Sequence, residues 1–139
     1  MPIADRLMVA AELRHKNDVS GVIDFLIDTG ADYTTISVDA AQLLGLYDLQ
    51  LSAGCPPSVR GIGGVVPLRY LPSSTLVFHG PEGQEPAIWQ VGNLAVLYVD
   101  EAQRRNPTFR GTPSLLGRDF IQHCRLEINR EDPMLFFGG

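Results

Sequence analysis

Cysteine is scarce, with only Cys55 and Cys124 in 139 residues. Two are too few for a disulfide framework, and a bridge between them would need Cα atoms within about 7 Å. Two free thiols in a reducing compartment are the simpler expectation. The three histidines, His15, His79 and His123, form no H-x-x-x-H pair, and no C-x-x-C is present. Neither a metal nor another cofactor is therefore expected. Long apolar runs are missing too, and no stretch approaches the ~20 residues that a membrane span needs. The segment after Met1 carries Asp5, Arg6, Glu12, Arg14 and Lys16, which is not a signal-peptide pattern. The expectation is a soluble, cytoplasmic protein without a membrane partner. Positive charge is also short: the net charge is −5, and no basic stripe offers itself to phosphates, so no nucleic-acid partner is expected. The densest basic cluster, Arg104, Arg105 and Arg110, falls in a polar loop and reads as solvated surface.

What the chain does have is a 45% apolar composition cut into short runs by Gly, Pro, Asn and Asp. That length suits one domain, 1–139, with a modest single core. The punctuation predicts a mainly β protein with two small helices. Strands are expected at Arg6 to Leu13, Val19 to Ile27 and Tyr33 to Ile36. Ser37 is placed to cap a short helix, Val38 to Leu44, that Gly45 stops. Val59 to Leu71 reads as a hairpin tipped by Gly61-Ile62-Gly63-Gly64. Thr75 to Phe78, Ala87 to Val91 and Leu94 to Val99 read as three further strands. Asp100 to Pro113 is a polar loop before the short strand Ser114 to Gly117. A turn or two of helix follows at Arg118 to Cys124, then strands at Arg125 to Asn129 and Met134 to Phe137.

The run Phe25-Leu26-Ile27-Asp28-Thr29-Gly30-Ala31 carries the chemistry. Asp-Thr-Gly by itself also describes a plain turn after a strand, with Gly30 supplying positive φ. Here an unbroken apolar strand delivers the acid into a tight glycine loop, which would leave Asp28 partly buried. A lone buried carboxylate is costly unless it is neutralised or shared.

Three separated motifs together resemble the retropepsin family, the retroviral-type aspartic proteases and their cellular and bacterial relatives. The first is Leu26-Ile27-Asp28-Thr29-Gly30-Ala31-Asp32 with Thr34-Thr35-Ile36 after it. The second is Gly61-Ile62-Gly63-Gly64 followed by Pro67-Leu68-Arg69-Tyr70, similar to a glycine-rich flap. The third is Leu115-Leu116-Gly117-Arg118-Asp119-Phe120-Ile121, similar to the segment that enters the family's C-terminal helix. They occur in the family's order and organise the chain from about Val19 to Asn129.

The resemblance implies a retropepsin-like acid protease fold, a closed β-barrel with a flap hairpin, and an aspartic endopeptidase acting on peptide bonds. Such hydrolysis uses two carboxylates sharing one proton. This chain has one Asp-Thr-Gly, and Asp100, Asp119 and Asp132 sit in no matching strand-loop context. The second Asp28 is therefore expected from a second copy across a two-fold axis. Thr29 would hydrogen-bond across that axis, Gly30 would let the backbone approach the dyad, and Ala31 and Asp32 would border the substrate groove. Gly61, Ile62, Gly63 and Gly64 would close over an extended peptide. Arg118 is either an ordinary exposed helix-start residue or, as the resemblance implies, a brace to Asp32; Leu115 and Leu116 are expected beneath the loop rather than on a binding surface. Tyr33 stands where many retroviral relatives carry a second acid. The competing expectation is a non-catalytic peptide-binding or dimerisation module on the same scaffold, since fold alone does not confer activity.

Overall fold

The computed structural model describes residues 7–16, 18–61, 64–80, 83–109, 111–127 and 134–137. Among the described residues, nine strands and two short α-helices run in the order β1 (Met8–His15), β2 (Asp18–Ile27), β3 (Thr35–Ile36), α1 (Val38–Leu43), β4 (Ser58–Gly61), β5 (Gly64–Phe78), β6 (Ala87–Leu97), β7 (Ser114–Leu116), α2 (Arg118–Ile121), β8 (Cys124–Glu127) and β9 (Met134–Phe137). Seven strands in the order β1-β2-β7-β3-β6-β5-β4 form one sheet, and β1 also pairs with β5, so that the first six close into a barrel. Closure removes the free edges that an open sheet would expose. β4 extends from β5 as a hairpin arm, and β8 and β9 form a separate two-stranded sheet.

Side-chain alternation explains why the strands settle in this register. Along β2, Ile23 and Phe25 are buried while Val22 and Asp24 face solvent. Along β5, Val66, Leu68 and Tyr70 point inward with exposed residues between them. The period of two places one apolar face in the core. That core has two lobes. One fills the barrel around Phe25, Leu76, Leu94, Leu116 and Phe120, with the Phe78 and Phe120 rings stacked 4.7 Å apart. The other gathers Val38, Val66, Leu68, Leu97 and Val99 near the hairpin arm.

The predicted breaks within β5 and β6 are corrected by the structure. Each is one strand, of 15 and 11 residues, and the ladder between them runs through two register shifts. Ser73 takes φ 54° and Gly92 φ 80°, and the Ser74 hydroxyl donates to Leu71 O at 2.7 Å. Pro72-Ser73 and Gly92 therefore make a bulge instead of ending two strands, because pairing resumes on both sides. The short helix begins as expected, with Ser37 Oγ accepting from Ala40 N at 3.2 Å, and Gly45 follows it in the left-handed region. β9 spans the predicted Met134–Phe137 and pairs with β8.

Candidate active site

β2 delivers Asp28 immediately after Ile27, beside β7. The two strands are parallel, with Phe25, Leu26 and Ile27 opposite Ser114, Leu115 and Leu116. Asp28 N–H then donates to Leu116 O at 3.1 Å, and Ala31 N–H returns to Asp28 O at 3.2 Å, closing a tight turn. Asp28 is half-buried, and its Oδ1 accepts from Gly30 N–H at 2.9 Å. Gly30 is not needed for positive φ, contrary to the expectation. A Cβ there would lie 3.2 Å from Asp28 Oδ1, so its absence leaves room beside the carboxylate.

The loop is bound to the start of α2 by backbone and side chain. Arg118 N–H donates to Ala31 O at 2.8 Å and Asp119 N–H to Asp32 O at 3.2 Å. The Arg118 guanidinium pairs with the Asp32 carboxylate as the family resemblance implied. Both side chains remain more than half exposed, so solvent screening keeps the pair weak. Gly117 is required by close approach, since a Cβ would lie 2.5 Å from the Tyr33 carbonyl carbon.

Asp119 has the larger structural role, and the sequence reading missed it. Its carboxylate accepts from buried Thr34 at N (3.0 and 3.1 Å) and at Oγ1 (2.8 Å), and from Phe120 N at 2.9 Å. Thr34 Oγ1 in turn accepts from Gly117 N at 3.1 Å. The only sequence signal was an acid in the first turn after a glycine, which names no partner.

A cleft of about 650 Å³ opens over this loop. Asp28, Gly30, Ala31, Asp32 and Tyr33 line one side, and Val59, Arg60 and Val66 of the β4–β5 arm line another. Leu97, Phe109 and Pro113 complete an apolar wall. Leu115 is half-buried and also lines the cleft, so only Leu116 is core as expected. Thr29 is exposed beside Asp28 and does not line the cleft. Gly61 pairs with Gly64, which has φ 109°. Ile62 and Gly63 lie outside the described residues.

The basic cluster expected to be solvated is corrected at Arg104. It is half-buried, its guanidinium lies 3.9 Å from the Tyr47 ring centroid, and Nε donates to Val99 O at 3.1 Å. Arg105 is exposed, and Arg110 lies outside the described residues. Cys55 is an exposed free thiol; the Cys124 side chain is not described. No helix among the described residues is long and apolar enough to cross a membrane.

Among the described residues, Asp28 is thus the cleft carboxylate held by a backbone amide and not by a cation. A solved structure titled as the EIAV protease complexed with the inhibitor HBY-793 is similar at 15% identity and a TM-score of 0.50, over 88% of this chain and 90% of that one. A retropepsin-like aspartic protease from Rickettsia conorii is similar at 18% identity and a TM-score of 0.54, over 97% and 84%. At such identities the likeness establishes the fold. A search of curated protein sequences returns no match. The sequence profile described as aspartyl protease matches residues 11–120. With that match over most of its length and a retropepsin-like barrel around its Asp-Thr-Gly loop, this chain belongs to the aspartyl protease family.

Proposed function

We propose that two copies of this chain form an aspartic endopeptidase, with one Asp28 from each copy making the catalytic dyad. The observation that carries this reading is the placement of Asp28 at the edge of an apolar-walled cleft, its Oδ1 oriented by Gly30 N–H. Asp32 is paired with Arg118 and Asp119 is occupied by Thr34 and Phe120. Neither is free to act as the second acid, so a partner copy supplies it.

Two such carboxylates about 3 Å apart hold one proton between them. The ionised one takes a proton from a water, whose oxygen bonds to the scissile carbonyl carbon. The protonated one donates to the carbonyl oxygen as negative charge develops there. When the tetrahedral intermediate collapses, the C–N bond breaks and the leaving nitrogen takes up a proton from the dyad. Thr29, exposed next to Asp28, would hydrogen-bond across the two-fold axis. Gly30, Ala31 and Asp32 would border an extended peptide, and the arm that carries Gly61 and Gly64 would cover it. Because the dyad shares a proton, the rate should peak at acidic or mildly acidic pH, with apparent values that belong to the pair.

The test is a diverse peptide pool incubated with the full chain from acidic to neutral pH, with sedimentation reporting the oligomeric state. Asp28→Asn is expected to abolish cleavage while leaving the circular dichroism spectrum and the dimer unchanged. Cleavage by that variant at the wild-type rate, or activity from a monomer, overturns the proposal.

A further inference from the structure

Part of the apolar wall of the cleft comes from a loop with no strand pairing among its described residues. Between β6 and β7 the chain forms two 3-10 turns, Gln103–Arg105 and Pro107–Phe109. From this loop Phe109, Thr112 and Pro113 reach the cleft. Phe109 is half-buried against the second core lobe. Hydrogen bonds within the loop, among them those to the Asp100 and Asn106 side chains, shape its turns, and one side-chain contact toward each end ties it to another element.

Toward the start, the Arg104 guanidinium sits over the Tyr47 ring and its Nε donates to Val99 O. Tyr47 is itself fixed: its hydroxyl donates to Leu97 O at 2.5 Å, and its ring meets Tyr98 edge-on at 5.8 Å. Burial pushes the Tyr47 phenol up to about 12, so it remains a neutral donor at any working pH. Toward the end, Asp39 Oδ2 on α1 accepts from Gly111 N–H at 2.9 Å. Gly111 takes φ 73° there, a conformation that suits glycine. Arg104, Tyr47 and Asp39 do not line the cleft; they act through Phe109, which does.

We infer that Arg104 and Asp39 are positioning residues that clamp both ends of this loop, holding Phe109 as the wall that fixes which side-chain size the cleft accepts. The inference rests on the peptidase reading, because it names what selects the substrate of that same site. A guanidinium over an aromatic face combines charge with stacking, so truncation removes the anchor at the start of the loop. The wall then recedes, and a substrate with a bulky apolar side chain loses its contact. A substrate with a small side chain at that position has little contact to lose.

The experiment uses the full chain as wild type, Arg104→Ala, Arg104→Lys, Asp39→Ala and Asp39→Asn. Amide hydrogen exchange reads the segment 106–113. Kinetics compare two peptides that differ only in Phe or Ala beside the cut. Both alanine variants are expected to exchange faster in this segment, with β2 and β7 unchanged. KM for the Phe peptide should rise about tenfold at similar kcat, the pattern of lost binding and not lost chemistry, while the Ala peptide changes less than about twofold. Arg104→Lys keeps a cation over the ring and Asp39→Asn keeps an oxygen acceptor, so both should recover most of the wild-type selectivity. Unchanged exchange, or equal KM rises for both peptides, overturns the clamp even if the wild type is an efficient peptidase. A wild type that cleaves nothing while the exchange effect holds overturns the peptidase reading, and the selectivity role with it.

Discussion

On the Asp28 side of the cleft, the loop is tied by backbone bonds to β7 and α2 and by the buried Thr34–Asp119 network. Elsewhere in the cleft lining, Phe109 and Pro113 stand on a loop tied to other elements by Arg104 and Asp39. The difference matches what the proposed peptidase would ask of each wall. Positioning a reacting carboxylate would tolerate only errors well below 1 Å, and the backbone bonds together with the part-buried Thr34–Asp119 bonds would meet that demand. Accepting a side chain of a given size requires only a surface at the right distance, and two anchors suffice. One wall is suited to preserving chemistry, the other to changing preference by few substitutions.

The largest expected effect would come from cutting the first wall at Asp119. Asp119→Ala leaves the buried Thr34 N–H and hydroxyl without their acceptor, a loss of about 3 kcal/mol in unfolding free energy. Urea denaturation of the full chain measures it, and Asp119→Asn, which keeps one oxygen, should lose about half as much. A loss below about 1 kcal/mol would erase the contrast between the walls.

Arg118→Ala gives a smaller and more discriminating result. The ion pair to Asp32 is exposed on both sides, so its removal should change stability by less than about 1 kcal/mol. The backbone bonds from Arg118 N–H and Asp119 N–H survive the substitution. A loss as large as that of Asp119→Ala would mean that the exposed pair, and not the buried network, holds the loop.

The smallest effect lies on the β1–β5 seam that closes the barrel. Glu12 accepts from Arg14 Nε at 3.1 Å and sits 2.8 Å from His79 Nε2. The bond from Arg14, and next that from His79, holds its carboxyl below the usual value of 4.5. A depressed folded-state value means that the contribution is present above the ordinary glutamate range and lost as pH falls through the depressed value. Wild type should therefore have a slightly higher urea midpoint than Glu12→Gln near pH 7, with the gap closing as pH falls below the ordinary glutamate range. A gap that widens on acidification would reverse the assignment.

Local features were legible because they depend on near neighbours. The Ser37 cap, the apolar strand that ends at Ile27 and the Gly45 stop each need only a few consecutive residues. Asp28 was legible as a site because strand, acid and glycine adjoin. Asp119 was not, because its partner lies 85 positions away and an acid after a glycine reads as an ordinary first-turn residue. The bulge at Pro72-Ser73 and Gly92 read as two breaks, since turn-forming residues look alike whether or not pairing resumes beyond them. Phe109 went unnoticed because nothing in a polar loop says which side chain turns inward.

The sequence by itself determined that the chain is mainly β and that Asp28 stands in a glycine loop at a strand end. It also determined that the chain carries a single Asp-Thr-Gly. These follow from residue order and short-range periodicity. The tertiary structure decided that β7 lies parallel to β2, that Thr34 and Asp119 brace the loop, and that Phe109 walls the cleft. Those relations depend on barrel closure, in which strands distant along the chain pair to satisfy their backbone groups and bury one face. Residue order alone does not name the partner.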